Sequence, residues 1–132
     1  MMEAIPTNET IMRSSNQQTY ERQMSEYHSI REEVLATLER ELPYLRDTYG
    51  VDTIGLFGSV SRGEDTPESD IDILYSFREE RGDLYEYLGF AGYLEQLFRR
   101  KIDLVPLEFV DPYLKPYLRK DAILYGSRTV IA

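Results

Sequence analysis

The sequence predicts a small α/β (α+β) domain, a mixed sheet flanked by helices. Three observations carry this. Apolar residues recur at three- and four-residue spacing in two stretches, Ile30 to Leu45 and Leu84 to Phe98, the period of amphipathic helices. Between and after them stand short apolar runs, Val51 to Phe57, Asp70 to Phe77 and Lys101 to Leu107, with the length of strands and bounded by turn-forming residues. A chain of 132 residues that is 42% hydrophobic suits one domain with one core.

Met1 to about Met24 is rich in Thr, Asn, Ser, Gln and Glu with little apolar periodicity. It reads as a polar N-terminal tail or arm, residues 1–24, ahead of a domain at 25–132. From Tyr27 onward, Ile30, Val34, Leu35, Leu38, Leu42 and Leu45 form one face of a helix, and Pro43 is expected to kink or end it. Val51 to Phe57 reads as a buried strand running straight into Gly58 and Ser59. Ser61 to Ser69, with Gly63, Asp65, Thr66 and Pro67, is expected to be a polar loop. A second strand starts at Asp70, and its alternation puts Asp70 and Asp72 on one face. After a charged turn, the second helix runs from Leu84 to Arg100. Gly89 and Gly92 each cost it about 1 kcal/mol against alanine, so close packing is the reason expected for them. The third strand presents Lys101, Asp103 and Val105 on one face. Asp111 and Pro112 read as the N-cap and first residue of a short helix reaching about Lys120, and Ile123 to Tyr125 as a final short strand.

Composition narrows the function. Asp and Glu outnumber Lys and Arg by 24 to 15, a formal charge of −9, so the surface as a whole repels a phosphate backbone and no direct nucleic acid binding is expected. Arg99, Arg100 and Lys101 form one basic run, read as complementing a helix end and staying solvated. With no cysteine, disulfides, thiolate zinc sites and a cysteine nucleophile are excluded. The single histidine, His28, reads as a surface residue. No apolar run is long enough to span a bilayer and the N-terminus lacks a signal-peptide pattern, so no membrane partner and a cytoplasmic location are expected.

The chemistry is concentrated in Leu56-Phe57-Gly58-Ser59, then ten residues, then Asp70-Ile71-Asp72. Two carboxylates two apart on a strand project side by side and can share hard, oxygen-preferring cations, of which magnesium is the natural one. Gly58 lets a backbone approach a phosphate without a Cβ in the way, and Ser59 adds a hydroxyl and an N–H. If the strand of Asp103 lies beside that of Asp70 and Asp72, three acids make a site for two metal ions, with Asp103 both ligand and base. An isolated D-x-D or G-S pair is common in turns and at strand edges. The combination at this spacing, between two hydrophobic strands, is not.

Gly55-Leu56-Phe57-Gly58-Ser59-Val60-Ser61-Arg62-Gly63-Glu64, followed by Pro67-Glu68-Ser69-Asp70-Ile71-Asp72-Ile73-Leu74, resembles the signature of the minimal nucleotidyltransferases of the DNA polymerase β superfamily. Within it the chain is most similar to the antitoxins of HEPN/MNT toxin-antitoxin pairs. The resemblance implies a polymerase β-like palm fold, triphosphate binding by Gly58 and Ser59, and metal binding by Asp70 and Asp72. Asp103 matches the family's third acid, and two Mg2+ ions with ATP as substrate are implied. Arg62 sits where the family often has a basic residue, and either a phosphate contact or a salt bridge to Glu64 or Asp65 is open to it. The resemblance further implies an antitoxin that transfers AMP from ATP to a tyrosine hydroxyl of a cognate HEPN ribonuclease toxin and neutralises it. Two alternatives stand beside this: a non-catalytic antitoxin that covers its toxin, and a small-molecule nucleotidyltransferase with a separate acceptor-binding subunit. Retention of three acids argues against the first, because clustered carboxylates are costly to keep without a metal.

Overall fold

Apolar spacing and turn residues lay out the chain in the order the periodicity predicts. The computed structural model describes residues 26–131, and the polar stretch 1–24 lies outside them. Helix α1 (Arg31–Tyr49) leads into β1 (Val51–Phe57), the short α2 (Gly58–Arg62), β2 (Ile71–Phe77), α3 (Leu84–Phe98) and β3 (Ile102–Pro106). A 3-10 turn (Leu107–Phe109), α4 (Lys115–Asp121) and β4 (Ile123–Gly126) follow. The sheet order is β3-β2-β1-β4. β1 runs antiparallel to β2 and β4, whereas β2 and β3 are parallel, so the sheet is mixed as expected.

Alternation along the strands divides the core in two. Ile71, Ile73 and Tyr75 of β2 pack with Ile54 and Leu56 of β1 against Val34, Leu38 and Leu45 of α1 and Phe90 and Leu94 of α3. Leu74 points the other way, onto Val110 and Leu118. Asp72 has the same parity as Leu74 and therefore shares the second face, the one covered by α4 rather than by the long helices.

Several boundaries depart from the sequence reading. Pro43 lies inside α1 and does not end it. Its missing N–H removes one bond to the preceding turn, but the last turns are held by fully buried Leu45 and by the rings of Tyr44 and Tyr49 against Tyr93, with centroids 5.0 and 6.1 Å apart. The segment after Gly58 is not loop throughout: α2 continues to Arg62 and stops at Gly63. Asp111 does not cap α4. Its side chain accepts from Tyr113 N at 2.9 Å and closes a turn, and the helix begins at Lys115. Of the two glycines in α3, only Gly89 answers to close packing: a Cβ there would stand 2.6 Å from the Tyr49 ring, while one at Gly92 meets nothing within 4 Å.

Candidate active site

The site forms where β1 ends, β2 begins and β3 begins. Phe57 pairs with Asp72 across β1 and β2, and Asp72 pairs with Asp103 across the parallel β2 and β3 ladder. Side chains paired in register share a face, so the two carboxylates meet, Asp72 half-buried and Asp103 exposed. The strand adjacency assumed for Asp103 is thus met.

Burial raises the Asp72 carboxyl first, and the charges of Asp103 and Asp70 raise it further, to about 6, with Arg62 pulling weakly the other way. Gly58 sits directly against this group. Its φ is +77°, and a Cβ would overlap Oδ2 of Asp72. Gly58 is therefore required twice, for a left-handed backbone and for the space that the carboxylate occupies.

Asp70 stands just before β2 rather than in it, its side chain 42% exposed and 3.7 Å from Lys101 Nζ. Among the described residues no three acidic or histidine side chains are gathered into a ready metal cage. What is present is a carboxylate pair with a third acid at its flank, all oxygen donors with an excess of negative charge. That donor set fits a hard divalent cation whose remaining ligands are phosphate oxygens and water.

Ser59, half-buried, follows Gly58 as the second residue of α2, and Arg62 closes the helix. Arg62 takes the salt bridge left open for it: Nε lies 2.8 Å from Glu64 Oε1, and Nη1 lies 3.0 Å from Asp121 Oδ2. Asp65 is not its partner. Asp65 is buried and accepts from Tyr27 Oη at 2.6 Å, from Ser29 Oγ and from Ile30 N. Burial pushes the Asp65 carboxyl up, but these hydrogen bonds outweigh it and hold it below the usual range.

Two groups that shape the site went unrecognised in the sequence. Asp121 accepts Arg62 through its carboxylate and the Ser61 hydroxyl through its backbone carbonyl, tying α2 to α4. Arg100 is not merely solvated, which corrects the reading of the basic run. It donates to Thr66 O at 2.6 Å and to Tyr27 Oη at 3.2 Å, and so pins the loop that delivers Asp70. Neither has a local signal, since the partners lie tens of residues away. His28 is exposed, as expected.

Comparison with known proteins agrees with this geometry. The model of the nucleotidyltransferase domain family matches residues 38–128, more than half of the chain. MJ1379 of Methanocaldococcus jannaschii, named provisionally as a protein adenylyltransferase, is 40% identical over 93 residues, which cover 69% of this chain and 93% of the relative. The protein adenylyltransferase MntA of Thermococcus cleftensis is 42% identical over 74 residues, 56% of this chain and 74% of the relative. A crystal structure described as a toxin-antitoxin with AMP-PNP superposes with a TM-score of 0.54 at 25% identity, covering 68% of this chain and 74% of that one. With the G-S and D-x-D segments meeting at one corner of a mixed sheet, and with relatives of this kind, the chain belongs to the nucleotidyltransferase domain family and is akin to its minimal, adenylyltransferase-like members.

Proposed function

We propose that the chain is an antitoxin that transfers AMP from ATP to a tyrosine hydroxyl of a HEPN ribonuclease toxin and so silences it. The observation that carries this reading is the Asp72–Asp103 pair beside Gly58, with Asp72 pushed up to about 6. A protein that keeps two carboxylates in contact at neutral pH without a cation bears a standing electrostatic cost. The cost is removed when a cation joins them. The names of the relatives supply the transferred group, and the toxin-antitoxin neighbour supplies the kind of partner.

In this reading Gly58 and Ser59 take the triphosphate, while Asp70, Asp72 and Asp103 hold two Mg2+ ions. Bound magnesium neutralises phosphate charge and favours an ionised nucleophile. The tyrosine oxygen forms a bond to the α-phosphorus of ATP, the bond from that phosphorus to the bridging oxygen breaks, and pyrophosphate leaves. Asp103, the exposed member of the pair, accepts the phenolic proton. Arg62 is placed to contact phosphate only if it leaves Glu64 or Asp121. The partner brings its own acceptor and the location is cytoplasmic.

Intact mass spectrometry of the HEPN protein, incubated with this chain, ATP and magnesium, tests the reading. One or more added AMP units with the unaltered chain, and none with Asp72→Asn, is the expected result. Tight complex formation with no mass change would replace transfer by simple covering of the toxin.

A further inference from the structure

At the opposite end of β2 from the acids lies a cleft of about 680 Å³. β3 stops pairing at Pro106, opposite Tyr75, and turns away into Leu107–Phe109. β2 continues to Phe77, so its last residues lose their neighbour on that side, and the cleft fills the vacated place. Ser76 lines it, four residues beyond Asp72 and therefore about 13 Å away along the strand. Ser76 is only 5% exposed, and its hydroxyl is buried without a hydrogen-bond partner among the described residues. That hydroxyl is sealed from the cleft, on the face of the sheet shared by Asp72 and Leu74, so Ser76 meets the cleft through its other atoms.

The walls and the rim say what kind of group fits. Tyr75, Phe77 and Tyr87 line the cleft, with ring centroids 5.4 Å (Tyr75–Phe77) and 6.2 Å (Tyr75–Tyr87) apart, and Phe109 stands 80% exposed at its mouth. Aromatic faces attract cations. Four carboxylates, Glu79, Glu80, Asp83 and Glu108, are set around the cleft against two arginines, and Arg81 is already engaged by Glu86 at 2.5 Å. The rim is net acidic and disfavours a phosphate or carboxylate ligand. Beyond the rim, Leu84 is 68% exposed, and Tyr85 and Leu88 continue the same apolar surface along α3. A free small cation cannot cover those side chains, whereas a protein surface can.

We propose that this cleft is a docking site for a partner protein that inserts an arginine. Its guanidinium lies between the aromatic rings and the acidic rim and donates N–H groups to the rim carboxylates, while adjacent apolar side chains of the partner cover Leu84, Leu88 and Phe109. Arginine matches each feature: a planar cation, an apolar stem and several donors. Because the cleft is remote from Gly58 and Asp103, a partner gripped here leaves the acid pair free, and the inference stands whether or not the chain transfers AMP.

The test uses the full chain and three probes, followed by heteronuclear NMR: a helical peptide bearing one arginine flanked by leucines, its arginine-to-glutamine analogue, and arginine amide. The arginine peptide is expected to shift the amides of Ser76, Tyr87 and Phe109 and to saturate at a concentration at least about tenfold below that of arginine amide. The surface variants Glu79→Gln and Phe109→Ala should each weaken the peptide about fivefold. Absence of shifts at these residues overturns the proposal. So does equal binding of the glutamine analogue, which would mean an apolar patch alone, or equal binding of arginine amide, which would mean a site for a free cation.

Discussion

Asp72 and Gly58 occupy one volume between them, and each explains the other. Burial and the charges of Asp103 and Asp70 lift the Asp72 carboxyl to about 6, above the ordinary value of about 3.9 that it takes in the unfolded chain. The folded state therefore binds that proton more tightly. The stabilisation from proton uptake is complete below about pH 4 and is lost as pH climbs through about 6. In the presence of a chelator, Asp72→Asn should melt above the unaltered protein at pH 8 and match it near pH 4. Identical melting at pH 8 would contradict the burial and charge cost assigned to this group. Gly58→Ala puts a methyl group into the Asp72 carboxylate at φ +77°. It should cost about 1–2 kcal/mol of stability and about a hundredfold in transfer through displacement of the carboxylate, measured by denaturation and by single-turnover assay. The G-S and D-x-D residues were legible in the sequence as a set, but the reason for Gly58 was only half legible. The sequence suggested a phosphate as the reason for Gly58, while its contact with Asp72 exists only once β1 and β2 are paired.

Elements were legible where one period dominated and illegible where tertiary contacts decided. The strands read correctly to within a residue or so because apolar runs of strand length stand between turn residues, whereas α1 outlasts Pro43 because its own Tyr44 and Tyr49 pack on Tyr93 of α3. Gly89 and Gly92 look alike in sequence, three residues apart in one helix, and only the packing of Tyr49 separates them. Gly89→Ala should destabilise by about 1–3 kcal/mol through overpacking, while Gly92→Ala should stabilise by about 0.5–1 kcal/mol. Chemical denaturation of the pair checks both, and equal effects would contradict the packing described here. The clamp between α2 and α4 was invisible for the same reason, since Arg62 and Asp121 are 59 residues apart. Arg62→Ala and Asp121→Ala should each lower the melting temperature, and the double variant should lower it no further than the more damaging single change. Additive losses would mean that the two side chains act independently.

Across the whole molecule, the mixed sheet brings together acids that the sequence separates by some thirty residues, and it exposes them at one corner while the opposite corner keeps a cleft. The net charge of −9 gives the surface as a whole a potential that repels a phosphate backbone. In the proposed reaction the corner of Gly58, Asp72 and Asp103 directs attack at the α-phosphorus of ATP. The measurement that tests it most directly follows isotopic label from ATP marked at the α- or the γ-phosphorus, with magnesium, this chain and a HEPN protein as the proposed partner. Label retained on the partner from the α-position alone, with the γ-label released in pyrophosphate, is the predicted result. Retention of the γ-label would make the site a kinase and contradict AMP transfer.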